Sequence, residues 1–206
     1  MPVYILGAAL IGLLSGVTLP IALASLQSGY DPALQYISEL GADKAPNAAI
    51  ANWFGFLPAA LSVFVVMGYF VLSRGQKLLI RIGAFLCLGI GIGYLGAFVF
   101  PCDAGCPAIG SFSQAMHNLS GLFEYGGAIF GLPLIALGLF QSGSKLRAGL
   151  TALAFFCVLA GFLMMMGADA NTPIGLWQRL CDFTLFVWMF LLVYFSWRYP
   201  SQLQSD

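Results

Sequence analysis

The chain has few charged residues and a single histidine. Only 8% of its 206 residues are Asp, Glu, Lys or Arg, with eight acids against eight bases, whereas about 25% of the residues are charged in an ordinary soluble domain. This deficit excludes a soluble globular domain. The bases balance the acids and form no basic stripe, which argues against a nucleic-acid partner bound through its phosphates.

Apolar residues make up 60% of the chain, and the mean hydropathy is +0.92. A membrane-crossing helix needs about 20 mostly apolar residues, and six runs of that length predict helices at about 3–26, 52–73, 78–100, 114–140, 146–167 and 175–197. The sequence therefore predicts an all-α membrane protein, a bundle of six transmembrane helices in one domain over residues 1–206. Ala22-Leu23-Ala24 resembles a signal-peptidase site, but the apolar run before it is too long and lacks a basic start, so we expect it to stay as the first helix.

Basic residues predict the orientation of this bundle. Six of them lie in short loops or tails on one side: Arg74, Lys77, Arg81, Lys145, Arg147 and Arg198. Only Lys44 and Arg179 belong to the other side. Because Lys and Arg in short loops stay cytoplasmic, we expect both termini in the cytoplasm of a bacterium with the protein in its inner membrane. The loops at 27–51, 101–113 and 168–174 should face the periplasmic or extracellular side.

Small residues and prolines predict how the helices pack. Gly89 and Gly93 form a small-xxx-small pair on the third helix, as do Gly127 and Gly131 on the fourth, and such pairs let helix backbones approach closely in lipid. Prolines inside helices should produce kinks that serve packing. The three are Pro20, Pro58 and Pro133.

Polar residues are concentrated on the predicted outward side. The acids of its loops are Asp31, Glu39, Asp43, Asp103 and Asp169, and only Asp206 is left for the cytoplasm. The outer halves of the fourth and sixth helices add His117, Asn118, Glu124, Arg179 and Asp182. A charge near the middle of a membrane costs about 2.5–3.5 kcal/mol on insertion scales, so these groups should be paired, protonated or bound to a ligand.

Helical spacing predicts which of these residues share a face. His117 and Glu124 are two turns apart on the fourth helix, and Arg179 and Asp182 are an (i, i+3) pair on the sixth. Packing the sixth helix against the fourth would bring all four together. We take His117, Glu124 and Asp182 as candidate catalytic residues. The candidate ligand-binding residues are Ser38, Glu39, Ser113, Asn118, Gln178 and Arg179. The alternative is a static network in which Arg179 neutralises Asp182 or Glu124 and His117 caps a carbonyl.

Residues 30–41 of the first outward loop resemble a short amphipathic helix. Asp31 and Pro32 suit the N-cap and the first helical position, and Gly41 suits the end. Leu34, Ile37 and Leu40 can share an apolar side. Such a helix would either cover the predicted cleft or lie on the membrane surface.

Two cysteines, Cys102 and Cys106, lie in the second outward loop. On an oxidising side we expect a disulfide between them, with a metal site that adds His117 or a redox function as alternatives. One histidine excludes bis-histidine haem and a three-histidine zinc site. A divalent cation held by His117 and carboxylates stays open, with Ca²⁺, Mg²⁺ or Mn²⁺ favoured over zinc.

Several separated motifs together resemble a known family. They are Tyr36-Ile37-Ser38-Glu39-Leu40-Gly41, Pro46-Asn47, Phe100-Pro101-Cys102-Asp103, Cys106-Pro107, His117-Asn118 and Gly175-Leu176-Trp177-Gln178-Arg179 with Asp182. The chain resembles the bacterial six-helix membrane family known as domain of unknown function 998, and the resemblance implies no particular activity. Residues 37–41 and the His117-Asn118 pair are also similar to the eukaryotic Frag, DRAM and Sfk-like proteins, a group linked to lipid handling.

A further motif is similar to a family of membrane hydrolases. Ser113-x-x-x-His117 resembles the Ser-x-x-x-His element of the ceramidase and adiponectin-receptor superfamily, but the His-x-x-x-His element of its last helix is absent, so an identical zinc site is excluded. Two functions follow as hypotheses. One is a lipid hydrolase or acyltransferase with His117 as base. The other is a non-catalytic protein that binds or transports lipid, or an accessory subunit in a homo-oligomer or a membrane complex.

Overall fold

The structure, a computed structural model, describes residues 1–169 and 172–199, so Asp206 and two residues of the predicted loop 168–174 lie outside it. Six helices are long and apolar enough to cross a membrane: α1 (Val3–Leu26), α2 (Ala48–Leu72), α3 (Leu78–Val99), α4 (Phe112–Gln141), α5 (Lys145–Met166) and α6 (Ile174–Arg198). No strand occurs in the described residues. The predicted six-helix all-α architecture is confirmed, with each helix boundary within four residues of its predicted position.

The six helices pack as a closed ring in chain order. Each helix contacts the next along the sequence, and α6 returns to contact α1. Our assumption that α6 packs side by side with α4 is therefore wrong, because α5 lies between them in the ring. A ring has an interior, however, and long side chains from α4 and α6 can still meet there.

The predicted glycine seam joins α3 to α4. A Cβ atom on Gly127 would lie 3.1 Å from the Cα atom of Gly89, and one on Gly131 would lie 2.6 Å from both Cys87 Sγ and the Gly83 carbonyl oxygen. Only glycine leaves room for backbones this close.

Two of the three predicted proline kinks take the form of wider helical turns. The π-helical segments Leu14–Thr18 and Ala51–Phe56 each end two residues before a proline, Pro20 and Pro58 respectively. A π turn is a known way for a helix to absorb a local disruption of its hydrogen-bond ladder. Pro133 lies inside the continuous helix α4.

At the end of the bundle that bears the 73–77 and 142–144 loops, Arg147 is buried. We predicted it as a loop base, but it lies in the first turn of α5, where its Nη1 donates to Ser196 Oγ at 3.0 Å and its Nη2 to Ser144 Oγ at 2.5 Å. The loop between α4 and α5 is shorter than expected, so Arg147 lies in the helix. A buried guanidinium group needs hydrogen-bond acceptors such as these two hydroxyl groups. The orientation of the termini stays a prediction.

The seam predicts different effects for two adjacent glycines of α4. Gly127→Ala should destabilise the protein by about 1–3 kcal/mol through overpacking, because its new Cβ meets the Gly89 backbone. Gly126→Ala is the control, since nothing lies within 4 Å of its Cβ position. Thermal unfolding in detergent should give a lower Tm for the first variant alone. Equal Tm values would contradict the seam.

Candidate functional site

Two carboxyl groups meet in the interior of the ring. Asp182 of α6 is 2% exposed and Glu124 of α4 is 7% exposed, and the two side chains are within hydrogen-bonding reach of each other. Tyr94 Oη of α3 donates to Asp182 Oδ2 at 3.1 Å, and Tyr125 Oη of α4 donates to Asp182 Oδ1 at 2.9 Å. We call Glu124 and Asp182 the acid pair. Side chains from three helices thus converge on one point.

Glu124 is less completely satisfied than Asp182. Its Oε1 atom is buried and receives no hydrogen bond from any described residue. Room for the side chain comes from Gly93 of α3, because a Cβ atom there would collide with the Glu124 carboxyl. Two adjacent carboxylates repel each other, so a proton or a cation between them stabilises the acid pair.

A cavity of about 470 Å³ lies directly above the acid pair. Its polar residues are Ser38, His117, Asn118, Glu124, Gln178 and Asp182. Its other walls are mainly aromatic and aliphatic, and include Phe56, Tyr94, Tyr125, Phe162 and Met165. Volumes of about 300–1,000 Å³ with a few converging polar groups are typical of small-molecule sites.

The cavity also reaches the surface that faces lipid. Leu122 of α4 and Met166 of α5 both line it, and they are 59% and 67% exposed. In a transmembrane bundle such exposed apolar side chains are in contact with lipid chains. We call the part of the cavity wall that these two residues form the lateral opening.

His117 lies on the wall of the cavity with one ring nitrogen already engaged. Its Nδ1 is 3.0 Å from the Phe100 carbonyl oxygen. A carbonyl only accepts, so Nδ1 carries the hydrogen and Nε2 has the free lone pair. The predicted carbonyl cap is therefore confirmed. Ser113 is engaged elsewhere, since its Oγ donates to the Pro101 carbonyl at 2.7 Å.

The predicted disulfide between Cys102 and Cys106 is present. One His117 ring nitrogen and both sulfurs lie within 4.8 Å of one another, but the disulfide uses the thiol groups that a metal would need as thiolates. The loop that carries the disulfide is fixed at Asp103, which accepts from the Ser111 hydroxyl at 2.6 Å and from the Ser111 N–H at 2.7 Å. These two hydrogen bonds lower the pKa of Asp103.

Residues 30–41 cover the cavity, and we call them the covering segment. The prediction of one amphipathic helix is wrong: a turn at 32–34 precedes a 3₁₀ helix, Ile37–Gly41. Asp31 Oδ1 accepts from the Ala33 N–H at 2.8 Å and so closes the turn instead of capping a helix. The chain bends because Ile37 and Leu40 are buried in the bundle while Leu34 is exposed.

Glu39 holds the covering segment in this shape. Its Oε1 accepts from the Tyr36 N–H at 2.9 Å, and its Oε2 accepts from Gln35 Nε2 at 2.8 Å. Both carboxylate oxygens are thereby used within the segment itself. Glu39, predicted as a ligand-binding residue, is not among the residues that line the cavity.

Arg179 binds the covering segment and not the acids. Its Nη1 donates to three carbonyl oxygens, those of Pro32 at 2.7 Å, Gln35 at 2.9 Å and Gly175 at 3.0 Å, and its Nη2 donates to Tyr30 Oη at 2.5 Å. No ion pair between Arg179 and Asp182 or Glu124 occurs in the described part of the chain, because the donors of Arg179 are used by the backbone carbonyls and Tyr30. Burial raises the pKa of Tyr30, although Arg179 opposes that shift.

Gln178, the neighbour of Arg179 on α6, joins the covering segment to the cavity. Its Oε1 accepts from the Ile37 N–H at 2.5 Å, and its side chain lines the cavity. Ser38 lies at the same boundary, with its Oγ 3.3 Å from Cys106 Sγ. The covering segment, the disulfide loop and α6 therefore meet at this end of the cavity.

Of the nine predicted site residues, six line one cavity: Ser38, His117, Asn118, Glu124, Gln178 and Asp182. Glu39, Ser113 and Arg179 support the surrounding loops instead. Sequence reasoning missed Tyr94 and Tyr125, the donors to Asp182. A buried phenol normally has a hydrogen-bond partner, so a tyrosine in an otherwise apolar run is the signal that could have found them.

A membrane-spanning ring of six helices around a buried acid pair defines the class of this protein. The chain belongs to the family described as "Protein of unknown function (DUF998)", whose model matches residues 10–194. No curated protein and no solved structure is significantly similar to it. The similarity to Frag, DRAM and Sfk-like proteins stays a prediction.

The bonds of Arg179 predict that it anchors the covering segment. Arg179→Lys should release residues 36–41, because an ammonium group cannot reach three carbonyls and Tyr30 at once. Each lost hydrogen bond to a charged group is worth about 1.5–3 kcal/mol. Hydrogen exchange should show faster exchange in residues 36–41. Arg198→Lys, at an exposed arginine on the same helix, is the control, and equal exchange in both variants would contradict the anchor.

Proposed function

We propose that the protein binds a membrane amphiphile. The polar end of the ligand would lie above the acid pair, and its apolar tail would leave through the lateral opening into the bilayer. The observation that carries this proposal is the continuity of one cavity from buried carboxyl groups to exposed Leu122 and Met166. The distribution of Lys and Arg supports a site on the outward side of a bacterial inner membrane.

The shape of the cavity supports a ligand that arrives from the membrane. The covering segment lines the cavity through Tyr36, Ile37 and Ser38, and the exposed Pro107 and Ala108 of the disulfide loop line it as well. The wall that contains Leu122 and Met166 leads to lipid. About 470 Å³ accommodates a polar group and the first part of a chain, and the rest of an acyl chain would extend outside the protein.

The chemistry along the cavity supports the same proposal. Polar groups that can donate or accept hydrogen bonds, such as Asn118 and Gln178, lie beside apolar walls that include Phe162 and Met165. An amphiphile matches this division, because its polar group satisfies the buried polar atoms while its chain covers the apolar wall. A fully polar solute would leave the apolar wall in contact with water.

Blocking the cavity at Gly121 should abolish binding. Gly121 lines the cavity and has nothing within 4 Å of its Cβ position, so Gly121→Phe adds a ring to the cavity without disturbing the helix contacts. Native mass spectrometry should then detect a bound amphiphile on the parent protein and none on the variant.

Gly126→Phe is the matched control, because Gly126 is on the same helix with equally open space and does not line the cavity. It should retain the amphiphile. Retention by both variants, or loss from both, would contradict binding in this cavity.

A hydrolase or acyltransferase of a lipid is the second candidate, and the fixed tautomer of His117 favours it. With Nδ1–H held by the Phe100 carbonyl, Nε2 is free to accept a proton from water or an alcohol as that oxygen attacks an acyl carbon. The proton would then pass to the leaving group as its bond to the acyl carbon breaks. The nucleophile would be water or an alcohol, because Ser113 is bonded to Pro101.

Catalysis predicts that His117→Asn stops turnover. The Asn amide N–H can keep the hydrogen bond to the Phe100 carbonyl, but the side chain has no basic nitrogen, so general-base catalysis of about 10²–10⁴-fold should be lost. Mass spectrometry of the fatty acid released from a bacterial lipid extract measures turnover. The parent protein and the variant are compared when their Tm values agree, so that a loss of turnover does not reflect unfolding. No release by the parent protein, or equal release by the variant, would exclude the catalytic role.

A further inference from the structure

The acid pair is incomplete in a way that points to a particular kind of head group. Each oxygen of Asp182 accepts a phenol hydrogen, from Tyr94 or Tyr125. Glu124 Oε1 has no such donor although it is buried. A buried acceptor without a hydrogen-bond partner destabilises the free protein, and a ligand that supplies a hydrogen to this carboxyl group removes that cost.

The residues around Glu124 make this a site for a positive charge. Two carboxyl groups lie together on the cavity wall, and no Lys or Arg is among the described residues that line it. The nearest cation on α6, Arg179, is committed to the covering segment. An anionic group placed above the acid pair would meet repulsion, whereas a cation would replace the shared proton as the counter-charge.

Aromatic rings complete the surroundings of a cation. Four line the cavity beside the acids, in two contacting pairs: Phe56 with Tyr94, at a centroid distance of 6.1 Å, and Tyr125 with Phe162, at 5.6 Å. The faces of such rings attract ammonium groups electrostatically. This combination of carboxyl groups and rings is suited to an organic ammonium ion.

A bare divalent cation fits this site less well. Ca²⁺ takes about 6–8 oxygen ligands and Mg²⁺ about six, yet both Asp182 oxygens already accept phenol hydrogens. Within the pair, the Glu124 carboxyl group is therefore the one left for a ligand. One carboxyl group among aromatic rings is enough for an N–H donor and supplies too few oxygen ligands for such a metal ion.

We propose that the polar end of the bound amphiphile is a primary ammonium group that donates to the Glu124 carboxyl group between the aromatic rings. This inference rests on the proposed function, since it assigns the head group for the same cavity. An alkylamine and the ethanolamine head group of a phospholipid share this chemistry.

The test compares ligands with equal tails. Native mass spectrometry of the protein released from phosphatidylcholine nanodiscs would measure binding of dodecylamine against dodecanol, and of lysophosphatidylethanolamine against lysophosphatidylglycerol. The parent protein should prefer the amine in at least one pair by about tenfold, which corresponds to about 1.4 kcal/mol. Glu124→Gln should remove that preference and keep some binding of dodecanol, because an amide retains the shape of the carboxyl but not its charge.

The outcomes separate the two proposals. Preference for the amine in the lysophospholipid pair identifies a phospholipid head group, and preference in the alkyl pair alone identifies a long-chain amine. Equal binding within both pairs that Gly121→Phe abolishes overturns the ammonium inference and leaves the proposed function in place. Binding of no ligand, or binding that Gly121→Phe does not reduce, overturns the proposed function.

Two results would overturn the ammonium inference itself. One is an amine preference that survives Glu124→Gln, and the other is a stoichiometric Mg²⁺, Ca²⁺ or Zn²⁺ that Glu124→Gln removes.

Discussion

Burial of two adjacent carboxyl groups inside an apolar ring of helices is the constraint on which the site depends. A lone charge at that depth costs several kcal/mol, so each acid requires partners. Two phenol hydroxyl groups donate hydrogen bonds to Asp182, and a proton or a cation between the two acids reduces their repulsion. Gly93 provides the space for the Glu124 side chain. The helices that carry these groups, α3, α4 and α6, are thereby fixed relative to one another around the cavity.

The loops at the disulfide end serve the same cavity from above. The guanidinium group of Arg179 binds three backbone carbonyls, which ties the covering segment to α6. The disulfide loop contacts that segment through the Asp43 N–H, which donates to the Cys102 carbonyl at 2.9 Å. Exchange with the bilayer through the lateral opening is the route that the proposed amphiphile would take.

Signals within a single helix could be read from the sequence, and contacts between helices could not. Apolar runs predicted the six helices, two-turn spacing placed His117 and Glu124 on one face, and the cysteine pair predicted the disulfide. The neighbours of a helix in the ring depend on packing, which leaves no local pattern, so α6 was wrongly placed beside α4. We paired Arg179 with the acids because the sequence identifies charged side chains. The backbone carbonyls that bind Arg179 belong to every residue and therefore give no signal in the sequence.

The central claim, that the acid pair holds an amphiphile, is tested most directly by elemental analysis with native mass spectrometry of gently purified protein. The parent would be compared with the double variant Glu124→Gln, Asp182→Asn. We predict one bound amphiphile per parent molecule, its loss from the double variant, and no stoichiometric metal in either. A stoichiometric metal that disappears in the variant, or a parent protein with neither lipid nor metal, would contradict the account.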